Sequence, residues 1–387
     1  METNRAAGST GVTRMAQDMA YQSIDLEDAV SFLQEDFPVR RVDEVVADAI
    51  RWKAQEEGCS EDQVKERLRG PLGAQNLRNW LTPGKVKRLS RESAMKFAFA
   101  LEMTYEQADH FLKRCWLDGF YMRDLQDLIY RYGLEHGWSY EKAAKEIAAF
   151  PTAQQPNENP DGNGQVEQEG ITQFIQSQYT ALQSEEDLHR FIERNMQLFG
   201  SYRRKIYQIF MQQYHDLKAL LDDTARMDRR EDGQGRETVS ESDVLGMILG
   251  ALSELSDQKK LNPICSRLVA NLPGRTGLAE IIHQSDQKGK IAQADRKLLL
   301  LAYLAGIGGE KFEYSSRQDV QEAFMEHLTM INEDLLEPLG MALLDPRHPF
   351  DWIVMNAVRC TYFGEQTDIT ERMNDLIDQL AKMERED

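Results

Sequence analysis

The sequence predicts an all-α protein, and three observations carry that reading. Apolar residues recur at three- and four-residue spacing along most of the chain. The period-2 alternation of β-branched residues that marks a half-buried strand is missing. Serines and threonines stand before acids or glutamines at the head of many apolar-periodic stretches, as helix N-caps do. The expected order is an N-terminal helical bundle, a middle helical module, and a C-terminal bundle that is a divergent repeat of the first. The boundaries fall at a flexible arm (1–23), a first domain (24–150), a linker (151–170), the middle module (171–223), a charged linker (224–240) and the C-terminal domain (241–387).

The arm is polar, and residues 24–33 read as a short helix. Residues 45–58 place Val45, Ala49, Ile50 and Trp52 near one helical face. Ser60 caps a helix over 60–68 whose first turn carries Glu61 and Asp62, suited to the positive end of the helix dipole. Gly70, Pro71 and Gly73 then read as a break. Residues 74–81 turn Leu77, Trp80 and Leu81 inward and Gln75, Asn76, Arg78 and Asn79 outward. Pro83-Gly84 ends that helix. Ser90 and Thr104 cap helices over 90–101 and 104–112. Leu125, Leu128, Ile129 and Tyr132 make the next stripe, and Ser139 caps a helix that stops at Pro151.

This order of parts resembles the lambda-repressor-like helix-turn-helix family. A capped second helix (CSEDQ) is followed by a turn and a polar helix ending in Asn79-Trp80-Leu81. Next come Pro83-Gly84-Lys85, a basic stretch, and a helix reading A-x-K-x-A-F-A-L from Ala94 to Leu101. The match covers about 70 of 387 residues. It implies that the third helix enters the major groove of double-stranded DNA with Gln75, Asn76, Arg78 and Asn79 near base edges or flanking phosphates. Lys85, Lys87, Arg88 and Arg91 would then grip phosphate. One departure stands out. The turn RGPLG is longer than the family's usual turn, which would tilt the third helix away from a groove.

Charge is uneven. The chain carries −19 overall, which argues against general adhesion to nucleic acid and against an anionic membrane surface. Residues 65–96 nevertheless hold nine basic residues and two acids, whereas 310–387 hold 18 acids and seven bases. Four widely spaced cysteines (59, 115, 265, 360) form no C-x-x-C pair and read as reduced, mostly buried thiols of a cytoplasmic protein. The longest greasy run, near 297–309, is too short to span a bilayer and reads as a core helix. The N-terminus shows no secretory h-region.

Beyond the first linker, Phe174, Ile175, Tyr179 and Leu182 begin the middle module, and helices over 186–199 and 202–221 complete it. The C-terminal domain then repeats the first. Leu77 aligns with Leu278, and Ala100-Leu101 with Ala302-Tyr303. After an insertion at 308–333, Phe111-Leu112 aligns with Leu335-Leu336, and Arg123-x-x-x-Asp127 with Arg347-x-x-x-Asp351. Each Arg/Asp pair reads as a clasp between a turn and the next helix. The insertion carries a helix over 317–330, and further helices cover 351–358 and 368–384.

No dinucleotide fingerprint, P-loop, zinc-protease or nucleophile-elbow motif occurs. The sequence points to no catalytic residue, cofactor or metal site. Two functions lead, ahead of an enzyme of unrecognised type: a DNA-binding transcriptional regulator whose C-terminal helices supply self-association or partner binding, and a protein–protein adaptor that kept the helix-turn-helix fold without DNA.

Overall fold

The computed structural model describes residues 41–150, 171–199, 201–232, 238–250, 275–283, 296–307, 316–345 and 348–358. The helices expected over 24–33 and 368–384, the 151–170 linker, and Arg347 lie outside the described residues. All regular structure among the described residues is helical. The chain divides into two compact units, Val39–Tyr202 and one that includes Arg203–Asp387.

The first unit contains α1 (Val42–Glu57), α2 (Glu61–Leu72), α3 (Ala74–Leu81), α4 (Arg91–Ala100), α5 (Tyr105–Arg114), α6 (Leu125–Glu135), α7 (Tyr140–Ala149), α8 (Ile171–Thr180) and α9 (Glu185–Asn195). Local chemistry sets the starts. Ser60, Ser90, Thr104 and Ser139 each accept the backbone N–H three residues on, satisfying a donor that the helix itself leaves open.

The expected long turn between the second and third helices is not there. Residues read as RGPLG continue α2 to Leu72, and Gly73 alone separates it from α3. Pro71 costs one helical hydrogen bond in the last turn. Against that cost, continuing the helix buries Leu72 on the same face as Leu68, one turn back. Gly73 has φ +79°, a backbone state that a side chain strains to reach, and its N–H still closes onto the Arg69 carbonyl at 3.0 Å.

One core runs through the whole first unit. Trp80 meets the edge of Phe97 at 6.2 Å between centroids, and Phe97 stacks on Phe111 at 5.0 Å. Gly133 lets α6 approach closely, since a Cβ there would stand 3.1 Å from the Phe99 ring. Helices α8 and α9, expected in a separate middle module, contribute Ile175, Tyr179, Leu188, Phe191 and Ile192 to this same core. Polar ties reinforce the docking. Arg131 lies between the Tyr105 and Tyr179 rings at 4.2 and 4.5 Å, and Glu146 meets His189 at 2.8 Å.

The second unit is built on α10 (Ser201–Asp232), α11 (Glu241–Leu249), α12 (Arg275–His283), α13 (Arg296–Ile307), α14 (Arg317–Thr329) and α15 (Pro349–Ala357). Helix α10 runs on through residues 224–232, where a linker was expected. Its buried stripe is Ile206, Phe210, Tyr214 and Leu217. The Asp222 carboxylate accepts both Lys218 Nζ (2.7 Å) and the Val239 N–H (2.6 Å). Helix α13 is the expected core helix, with Leu298 to Leu301 all buried. A π-helical turn, Met330–Leu336, follows α14.

Each unit closes on one buried carboxylate, and the two closures use the same pattern. In the first unit Asp127 accepts Arg91 Nη2 (2.7 Å) and the Tyr121 N–H (2.9 Å), while Arg91 also donates to the carbonyls of Asp118 and Gly119. In the second, Asp351 accepts Arg296 Nη1 (2.6 Å) and Nη2 (2.8 Å) and the Asp345 N–H (2.9 Å), while Arg296 donates to the carbonyls of Ala342 and Leu343. The carbonyls, the amide and the acid all shift by 224 residues (118 to 342, 119 to 343, 121 to 345, 127 to 351). A third side chain matches as well: Phe120 N–H donates to Asp109 Oδ1, and Leu344 N–H to Asn332 Oδ1, both at 2.9 Å. Asn332 lies ten residues before Ala342, and Asp109 nine before Asp118. The π-helical turn takes up the extra residue.

This pattern corrects two sequence-based expectations. The clasp arginine on Asp127 is Arg91, not Arg123, whose side chain instead hydrogen-bonds the Tyr121 hydroxyl. The register of α4 against α13 is also set by the arginines (91 to 296), three residues away from the alignment of Leu101 with Tyr303.

Arg296 and Asp351 are both nearly inaccessible, so Arg296→Ala strands a buried carboxylate and should cost about 3–5 kcal/mol in urea unfolding. Arg91 is a third exposed, and Arg91→Ala should cost about 1.5–3 kcal/mol. Losses under about 0.5 kcal/mol would remove the clasp from the account. Burial pushes the Asp127 carboxyl up to about 6, against the pull of Arg91. That lies above the ~3.9 of an unfolded aspartate. The group therefore adds stability at acid pH and loses that contribution as pH rises through about 6. The stability of the wild type relative to Asp127→Asn should fall between about pH 4 and 6. A difference that rises over that range would contradict the assignment.

Candidate nucleic-acid interface

Helix α3 is short and two-faced. Leu77 and Trp80, three residues apart, turn into the core, and Gln75, Asn76 and Arg78 are exposed, with Asn79 half-exposed. Thr82 Oγ1 donates to the Arg78 carbonyl at 2.7 Å and finishes the helix. The outward set expected from the sequence is therefore outward.

Its four members are not equivalent. Asn76 Nδ2 donates to the Leu72 carbonyl at 3.0 Å, and the residue lines a cleft of about 500 Å³ with Trp80, Lys96, Tyr140 and Glu141. It thus faces α7. Gln75 Nε2 donates to Asn79 Oδ1 at 2.8 Å along the exposed surface. Arg78 has no ion pair with any described residue.

The segment after α3 is held at both ends. Gly84 N–H donates to Asp43 Oδ1 at 3.2 Å, and Lys85 N–H to the Thr82 carbonyl at 3.1 Å. Leu89 is buried and Val86 half-buried. With these anchors inward, Lys85, Lys87 and Arg88 face solvent. Asp43 escaped the sequence reading. It sits in the first turn of α1, where an acid is expected for the dipole alone, and its second role lies 41 residues away.

The nine basic residues of 65–96 do not act as one field. Lys65 pairs with Glu61 and Asp62, Arg67 with Glu57, Arg69 with Glu66 and Lys96 with Glu92. Arg91 was expected on the phosphate-gripping surface. It is committed to Asp127 and two carbonyls, because a buried carboxylate needs the charge more than solvent does. The remaining cations, Arg78, Lys85, Lys87 and Arg88, lie on α3 and the segment behind it. Lys85 and Arg88, like Arg78, have no ion pair with a described residue.

The second unit lacks this surface in its described residues. Helix α12, which the sequence alignment sets against α3, buries Leu278, Ile281 and Ile282 and exposes Glu280. Its His283 meets Glu241 of α11 at 3.0 Å. Among the described residues no group of His, Cys, Asp or Glu is placed to hold a metal ion, and no helix is long and apolar enough to cross a membrane. No protein-family model, curated protein or solved structure matches the chain.

The Asp43 anchor gives a direct test. Asp43→Ala removes a charged acceptor, so hydrogen exchange at the Gly84 amide should speed up roughly tenfold or more, while amides in α4 change far less. Unchanged exchange at Gly84 would show that the segment is held by other means.

Proposed function

We propose that the first unit binds double-stranded DNA, with α3 laid in the major groove and Lys85, Lys87 and Arg88 on phosphate. The supporting observation is selective exposure. Of nine cations in the region, five serve acids within the unit, whereas Arg78, Lys85 and Arg88 are exposed with no ion pair to a described residue. A helix of eight residues with polar outer positions and an aromatic anchor beneath suits a groove. A single-residue turn keeps α2 and α3 in rigid sequence, which removes the objection raised by the RGPLG stretch. The resemblance to lambda-repressor-like proteins points the same way, and a regulatory role follows from it.

The competing reading is an adaptor without DNA. The total of −19 and the surface of α12, which exposes Glu280 among its described residues, favour it. It predicts no affinity for DNA and a protein partner for the C-terminal unit.

The two separate on salt. Three phosphate-contacting cations give a slope of log affinity against log salt of about −2.7 on a random-sequence duplex. Lys87→Ala should reduce that slope by about one, whereas Arg91→Ala should leave it unchanged in protein that is still folded. Absence of salt-dependent binding by folded protein would reject the DNA reading.

A further inference from the structure

We propose that the cleft between α3 and α7 is a binding site for a small aromatic amine, its ring against Trp80 and its ammonium held by Glu141 and Asn76. The proposal does not depend on the DNA reading above.

The cleft holds about 500 Å³, within the range of small-molecule sites. Part of its wall is apolar. Leu72 at the end of α2 and Trp80 of α3 are both buried and border it, and Tyr140 of α7 adds a second aromatic ring. The Tyr140 ring is itself held, stacked on Tyr130 and edge-on to Phe99, each at 6.0 Å between centroids. A flat apolar ligand therefore meets surfaces that are already ordered and immobilises few protein side chains on entering.

Charge decides which aromatic ligand fits. Lys96 and Glu141 are the only Lys, Arg, Asp or Glu that border the cleft. Lys96 Nζ donates to Glu92 Oε1 at 2.7 Å and lies 5.2 Å from the centre of the Tyr140 ring, so its charge is already met. Glu141 is exposed in the first turn of α7 and has no ion pair with any described residue. Asn76 supplies a neutral acceptor. Its Nδ2 donates to the Leu72 carbonyl at 3.0 Å. A carbonyl can only accept, so that bond fixes the orientation of the amide and leaves Oδ1 for a ligand. The uncompensated charge at the cleft is thus negative, with a free acceptor besides. An ammonium brings a positive charge and three donors to these groups, whereas a carboxylate or phosphate is repelled by Glu141.

The test titrates the full chain with phenethylamine and follows the indole N–H resonance of Trp80. Two matched probes are phenylacetate, which has the ring and a negative charge, and butylamine, which has the ammonium and no ring. Phenethylamine should shift the Trp80 resonance saturably and bind about tenfold more tightly than either. Glu141→Gln should weaken phenethylamine about fivefold and leave phenylacetate no weaker. Glu106→Gln removes a first-turn acid of α5 that does not border the cleft, and should change neither. Melting by circular dichroism confirms that both variants are folded. Phenethylamine binding that leaves the Trp80 resonance in place, that butylamine or phenylacetate matches, or that Glu141→Gln does not weaken overturns the assignment. An equal loss in Glu106→Gln would trace the binding to the overall negative charge of the chain and would overturn it as well.

Discussion

A carboxylate taken out of water must be surrounded by donors, and in this chain that requirement fixes how each unit closes. Asp127 and Asp351 are each met by an arginine from the start of a distant helix and by a backbone amide six residues upstream. The arginine in turn collects two carbonyls from the connecting segment. The start of one helix and the continuous segment that leads into another are thereby tied together in each unit by one charge. Breaking such a closure leaves an uncompensated ion, so it tolerates far less substitution than the apolar contacts around it.

The closure also shapes the proposed interface. Arg91 is drawn inward by Asp127, and Leu89, two residues earlier, is buried. At the other end Thr82 terminates α3 and Asp43 holds Gly84. The three cations between these anchors are left facing solvent beside the exposed side of α3. The positive surface is small because most cations of the region are spent on acids within the same unit. In the second unit, α12 shows only Glu280 and a His283–Glu241 pair among its described outer residues.

Local features of this fold were legible in the sequence. The caps at Ser60, Ser90, Thr104 and Ser139, the two faces of α3 and the buried α13 each depend on residues within a few positions of one another. Non-local ties were not. Pro71 read as a break because the burial of Leu72 that offsets it is a tertiary event. Arg123 read as the partner of Asp127 because it stands four residues away, whereas the true partner stands 36 residues away. The alignment of α4 with α13 was placed three residues away from the one that the two arginines give. Apolar periodicity repeats nearly every turn and tolerates such a slip, while a polar clasp occurs once and fixes the register. The sequence placed Gln75, Asn76, Arg78 and Asn79 on one surface, yet nothing in it showed that Asn76 bonds to Leu72 or that Gln75 and Asn79 are bonded to each other.

The claim that joins these parts is that one surface of the first unit meets DNA. Mapping amide chemical shifts of the full chain during titration with a mixed-sequence duplex at low salt tests it directly. The account predicts that the shifts concentrate at residues 74–79 and 84–88 and spare the amides around Asp127 and the whole of α13. Shifts centred on the second unit, or none at saturating duplex, would contradict it.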